Sequence, residues 1–253
     1  MKGRFEKATG IVVRRHVLPN TDLILTLFCP GGKLKLIARA GANTRSKTVA
    51  KLNLFQNLSV QYISRHGDDL GLLTQTALEG ALPRLSEPQL YPYANLLCEL
   101  ADSLFLEGQE AHAPYALLAA SLRGLCSHPD PEWVTLVLSF KLLGTSGLAP
   151  RLTYLESEGL PRFFDPNTGS LEQNRGVALS TEVSLFLTEV FERTVRELMD
   201  FPLEGEDRAL LWRLLERYFT LHVKELKSWF SLEGAFEGKR SSEEGCLVVS
   251  DEL

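Results

Sequence analysis

The triad Pro30-Gly31-Gly32 divides two runs that have the composition of strands. Pro and Gly together are the strongest local signal for a turn. Before it lie Leu23 to Phe28; after it come Lys33 to Ala40. In the second run Leu34, Leu36, Ala38 and Ala40 alternate with Lys33, Lys35, Ile37 and Arg39. A period of two puts these sets on opposite faces of one strand, an apolar face for a core and a face with three bases. Gly10 to Leu18 is a β-branched run that stops at Pro19-Asn20. Leu54 to Ser64 and Leu72 to Leu78 complete the set around a turn at Gly67-Asp68-Asp69. Five short strands in about 80 residues fit a small closed barrel, and the five-stranded OB-fold is the common version that binds nucleic acid.

From Pro83 and Pro88 onward the period becomes helical. Leu90, Ala94, Leu97, Ala101 and Leu104 recur at spacings of three and four. Pro114 to Cys126 reads as a second helix. Asp130-Pro131-Glu132 starts a third, with Asp as cap and Pro at the first helical position, and it runs from Trp133 to Leu143. Residues 163–171 resemble a short hairpin around Asn167-Thr168-Gly169. Ser180 caps a helix carrying Val183, Phe186, Leu187, Val190, Phe191, Thr194 and Leu198, and a last helix runs from about Asp207 to Leu226. The expected class is α+β, a five-stranded OB-fold barrel before an all-helical body with a small irregular hairpin insertion. The expected divisions are 1–80, 81–147, 148–180, 181–231 and a disordered tail over 232–253.

Charge separates these parts. The net charge is −5, yet residues 1–80 hold twelve Lys and Arg against five Asp and Glu, so +7 sits in the barrel region and −12 in the rest. Such a split points to a basic binding module on an acidic body. The alternating bases Lys33, Lys35 and Arg39, with Arg45, Lys47 and Lys51 in the following loop, are candidates to track a phosphate backbone. Neutralising six phosphates on a single strand gives a log–log salt slope near about −4. Arg14 and Arg15 are adjacent, so only one of them faces DNA. Arg193 and Arg196 sit three apart on the helix after Ser180, as a second patch or a solvated face beside Glu189, Glu192 and Glu197. Phe28, Phe55 and Tyr62 read as barrel core more readily than as stacking platforms, which favours backbone contact over base readout.

No HExxH, GxSxG, GxxxxGK[ST] or GxGxxG motif occurs. Five isolated histidines lack partners at metal-ligand spacing, and Asp68-Asp69 reads as turn chemistry rather than a catalytic pair. Four widely separated cysteines, Cys29, Cys98, Cys126 and Cys246, suit reduced thiols in a cytoplasmic protein. No apolar stretch reaches the length of a membrane span, and the charged first ten residues do not read as a secretory signal. Nothing here calls for an enzyme; the rivals to a binding protein are a generic OB-fold module and a hydrolase using Asp68, Asp69 and a histidine.

The order and spacing of several strings resemble the RecO recombination mediators of bacteria, and look close to the Deinococcus–Thermus type. They include Gly10-Ile-Val-Val-Arg-Arg15, Gly32-Lys-Leu-Lys-Leu-Ile-Ala-Arg39, Leu78-Glu-Gly-Ala-Leu-Pro83, Pro129-Asp-Pro-Glu-Trp-Val134, Lys141-Leu-Leu-Gly144 and Arg193-Thr-Val-Arg196. The resemblance covers roughly residues 8–232 and implies a non-enzymatic DNA repair protein, cytoplasmic and associated with the nucleoid. It implies binding to single- and double-stranded DNA and strand annealing. Its implied partners are RecR, single-strand-binding protein, indirectly RecA, and in some settings RecF. It places Lys33, Lys35 and Arg39 on the family's basic strand and Arg193 and Arg196 on its basic helix. Related members carry a four-cysteine zinc element; here 150–179 holds no cysteine, so no metal or other cofactor is expected. In some members the helical domain takes the acidic tail of single-strand-binding protein, but Lys141 is the only base on the Trp133–Leu143 helix and no residue is assigned.

Overall fold

The computed structural model describes residues 4–42, 51–64, 70–152, 159–203, 205–229 and 231–232. Five strands, β1 (Arg4–Val17), β2 (Leu23–Cys29), β3 (Gly32–Ala38), β4 (Asn57–Ser64) and β5 (Gly71–Gly80), close a barrel in the order β1-β2-β3-β5-β4. This is the expected OB-type architecture. β1 starts six residues before the apolar run because it serves two neighbours. Its first half pairs with β4, from Arg4–Ser64 to Ile11–Asn57; its second half pairs with β2, from Ile11–Phe28 to Val17–Leu23. A bulge between Val12 and Arg14 turns the strand from one neighbour to the other. Val12 therefore points into the barrel core with Leu25, Leu36 and Val60, while Ile11 and Val13 point out.

Closure is made by a short parallel pairing, Leu36–Gly71 and Ile37–Leu72. A Cβ on Gly71 would sit 2.8 Å from the Tyr62 ring and 2.9 Å from Leu36, so only glycine lets the two strands meet. Tyr62 fills the barrel interior. Phe28 and Phe55 do not, contrary to expectation. They sit on the outer wall, in the core shared with the helices, where Phe28 meets Phe105 at 5.3 Å and Phe55 meets Tyr91 at 5.6 Å. Phe55 holds φ at +70°, a left-handed conformation costing about 1–2 kcal/mol for a side chain of this kind. Burial of its ring to 3% exposure offsets that cost.

The helical body contains α1 (Tyr91–Leu104), α2 (His112–Leu125), α3 (Pro131–Thr145), α4 (Thr181–Glu189), α5 (Val195–Met199) and α6 (Gly205–His222). α3 is central, buried along the eleven positions from Trp133 to Leu143 save Lys141. Its cap is the expected one, with Asp130 accepting from the Trp133 amide at 2.9 Å. Arg208 of α6 bonds the other Asp130 oxygen and lies 4.8 Å over the Trp133 ring, fastening the start of α6 to that cap. The predicted helix from Ser180 to Leu198 is two helices. Ser180 caps the first, but a Thr194/Glu197 capping box starts the second. The Lys141 amine donates to the carbonyls of Phe191 and Arg193 in the gap between the two helices. The last helix ends at His222, four residues short of the predicted Leu226.

Between α3 and α4 lies a three-stranded sheet, β6 (Phe163–Asp165), β7 (Ser170–Glu172) and β8 (Val177–Ala178), in the order β7-β6-β8. The hairpin is the predicted one, and β8 is an addition to it. Phe164 and Leu171 are buried and Val177 packs against the same core. Asp165 organises the turn by accepting the Asn167 amide at 2.9 Å, and His222 of α6 contacts the Pro166 carbonyl at 2.9 Å. Among the described residues no group of three or more His, Cys, Asp or Glu could hold a metal ion. None of the described helices is long and apolar enough to cross a membrane.

Candidate nucleic-acid interface

The barrel is joined to the helical body by one wall. Ile11, Val13, Phe28 and Phe55 on that wall share a continuous core with α1, α2 and the segment between them. The Pro30 carbonyl accepts the Ala111 amide at 2.8 Å. Gly32, at φ +102°, lies so close to Gln109 that a Cβ would meet its carbonyl oxygen at 2.4 Å.

This docking decides what the alternating bases face. Thr26 of β2 lies between Arg14 and Lys35 in the ladder, so the two cations share the outer row, and Lys33 lies one row along beside Phe28. That is the wall turned toward α1. Lys33 is 12% exposed, its amine 3.1 Å from the Asp102 carboxylate and bonded also to the Asp102 carbonyl. Arg14 stands 3.5 Å from the same carboxylate and remains 65% exposed. Lys35 pairs with Glu107 in the segment after α1. Alternation along β3 holds as predicted, but its basic face is half closed by acids from another part of the chain. Lys33 holds the two parts together and has no free face for a phosphate.

Arg15 lies on the inner row with Leu25 and Leu36, as the opposite-face argument requires, and its Nε is buried without a hydrogen-bond partner. Arg39 and Lys51 are exposed and have no described carboxylate in ion-pair reach. Arg45 and Lys47 lie outside the described residues, as do Asp68, Asp69 and the tail over 233–253. Arg193 and Arg196 are not on one helix face. Arg193 lies in the connection before α5, held 2.7 Å from Glu189 and 5.6 Å over the Phe201 ring. Arg196 lies on α5, exposed, with no described carboxylate partner.

Lys141 is likewise committed. Burial pushes its amine below the ordinary lysine range, and it donates to two carbonyls of the connection between α4 and α5. It has a structural role and offers no cation to a peptide. The buried cysteines have no reactive character either, since burial pushes the Cys29 thiol up to about 12 and raises that of Cys98 further. The partners Asp102 and Glu107 were missed in the sequence because nothing local to β3 signals them. The first half of β1, beside β4, was missed because Arg4 to Thr9 lacks the apolar run that announces a strand.

A five-stranded OB-type barrel, docked by one wall on a helical body and bearing exposed cations, defines the class of multi-part OB-fold proteins. Residues 1–81 match the family described as Recombination protein O N terminal, and residues 85–230 match Recombination protein O C terminal. The chain belongs to the RecO family. It is similar to the DNA repair protein RecO of Symbiobacterium thermophilum, 34% identical over 147 residues, which cover 56% of this chain and 57% of that one. The Listeria monocytogenes protein of the same name is 30% identical over 58% of each chain. That of Streptomyces avermitilis is 30% identical over 63% of this chain and 69% of its own length. The match thus spans little more than half the length of the first two relatives.

Proposed function

We propose that this chain is a non-enzymatic mediator of DNA repair and homologous recombination. It binds single- and double-stranded DNA and anneals complementary strands. With RecR it helps RecA load onto DNA coated by single-strand-binding protein, acting in the cytoplasm at the nucleoid. The observation that carries this reading is family membership across both halves of the chain. The exposed cations Arg39, Lys51 and Arg196, on the barrel and on α5, support it. Two cationic surfaces that each hold a backbone lower the mutual repulsion of two strands while base pairs form.

The test is annealing of two complementary oligonucleotides, one coated with the cognate single-strand-binding protein, over a salt series. Annealing above the spontaneous rate that falls steeply with salt is the expected result. DNA binding without any annealing would leave only a generic OB-fold module, and no binding at low salt would remove the nucleic-acid reading altogether.

A further inference from the structure

The barrel has one wall that no described residue covers. On β4 the residues Leu58, Val60 and Tyr62 point into the barrel core, so Ser59, Gln61 and Ile63 point outward. The ladders fix what stands beside them. Phe5 of β1 pairs with Ile63, and Ile63 pairs with Leu72 of β5. In the next row Lys7 pairs with Gln61, and Gln61 with Gln75. A third row holds only Thr9, Ser59 and Ala77. Phe5 is 72% exposed, the most exposed of the large apolar side chains described.

The chemistry of this wall is selective. Its three rows carry one cation and no carboxylate, in a chain whose net charge is −5. The acid that stands between Phe5 and Lys7 is turned to the other face. There Glu6 accepts the hydroxyls of Tyr62 at 2.9 Å and Ser64 at 2.6 Å, which hold its carboxyl below the usual range. What remains outside is an aromatic ring at the end of a row that continues through Ile63 and Leu72, then two amides and an ammonium. Aromatic rings stack unpaired bases with little preference for sequence, amides bond base edges, and a nearby ammonium meets the backbone. Double-stranded DNA presents no free base face to such a ring.

We propose that the β1–β4–β5 wall is a binding platform for single-stranded DNA, with a base stacked on Phe5 and the adjoining phosphate met by Lys7. This rests on the DNA-binding reading above and adds to it a site that separates single from double strands. The exposed cations Arg39, Lys51 and Arg196 hold either form; the Phe5 wall holds one.

The experiment is fluorescence anisotropy of the full chain on labelled oligothymidylate and on a duplex of equal length, each over a salt series. Phe5→Ala should weaken oligothymidylate binding on the order of 10-fold, with an unchanged salt slope, and leave the duplex within about twofold. Phe5→Tyr should keep the wild-type affinity, and Arg39→Gln should weaken both forms and flatten both slopes. Because Phe5 is mostly solvated, its truncation removes no core contact. Equal losses on both forms, or none on the single strand, would overturn the proposal. So would a fall in sedimented mass on Phe5→Ala without loss of single-strand binding, which would give the wall to a second copy of the chain. Wild-type protein that binds neither form would remove the DNA-binding reading itself.

Discussion

Lys33 of the barrel and Asp102 of α1 form the ionic contact at the centre of the junction between the two halves, 3.1 Å apart and only 12% and 11% exposed. Both groups have left most of their water. Removing one partner leaves the other charge buried and uncompensated, which costs more than the pair itself contributes. Asp102→Ala should lower the unfolding free energy by about 2–4 kcal/mol in urea titration. Replacing both by aliphatic residues, Lys33→Met with Asp102→Leu, should recover most of that loss. A single variant as stable as wild type would show that the junction stands on its apolar contacts alone.

On the DNA-binding reading proposed above, Glu107 competes with a phosphate for Lys35. The two are paired, yet 38% and 42% exposed, at the rim of the junction where a phosphate can reach. Neutralising the acid should free the base without touching the buried contacts. Glu107→Gln is expected to tighten DNA binding about two- to threefold at low salt and to steepen the log–log salt slope by about 0.7–0.9, the increment for one further phosphate contact. Lys33→Gln, by contrast, should leave the slope unchanged, since its amine is bonded to Asp102. Anisotropy titrations between 50 and 300 mM salt, roughly the range where such slopes are linear, separate the two. Weaker binding by Glu107→Gln would remove Lys35 from the interface.

Much of this arrangement is legible in the order of residues. Alternation at Lys33 to Ala38, the turn at Pro30-Gly31-Gly32, the cap at Asp130 and the hairpin at Asn167-Thr168-Gly169 all signal themselves within a few positions. The break after Val190 was equally local, written in Thr194 and Glu197, but an apolar period that runs on through Leu198 hid it. What a strand face meets is a different kind of information. Period two assigns Lys33 and Lys35 to one side, and only the docking of α1 decides that this side meets Asp102 and Glu107. The first half of β1 escaped for the converse reason. Between Arg4 and Thr9 charged residues occupy positions on both faces of the strand, so no apolar face marks it.

Asp165 makes the hairpin sensitive to acid. Its carboxylate takes the Asn167 amide and, less strongly, the Asn167 side chain, with Arg175 at 3.9 Å, and these hold it below the usual aspartate range. A depressed pKa in the folded state means that the contribution is whole above the unfolded value of about 3.9 and is lost as pH falls through the lower folded value. Asp165→Asn should therefore be less stable than wild type at neutral pH. The gap should narrow as pH drops below about 4. Urea midpoints measured from pH 6 to about pH 2.5 test this, and a gap independent of pH would mean that the charge on Asp165 contributes nothing.

Glu99 of α1 fastens the end of the described chain. Its carboxylate accepts the amides of Lys227 at 3.1 Å and Ser228 at 2.9 Å, and the Ser228 hydroxyl as well. Beyond α6 the chain thereby folds back, burying Leu226, Trp229 and Leu232, and Trp229 meets Trp212 edge-on at 6.0 Å. Without the acid, the Ser228 amide and hydroxyl lose their acceptor while their surroundings stay dry. Hydrogen bonds to a charged group of this kind contribute about 1.5–3 kcal/mol, and Glu99→Ala should lose a comparable amount. Local release should come first: a red shift of tryptophan emission and protease cleavage near Lys224 and Lys227, at denaturant concentrations where the barrel remains folded. Glu99→Gln keeps an acceptor oxygen but not the charge, and should fall between the two. If Glu99→Ala cleaves no faster than wild type, the segment is held by Trp229 and Leu232 packing, and the carboxylate is incidental.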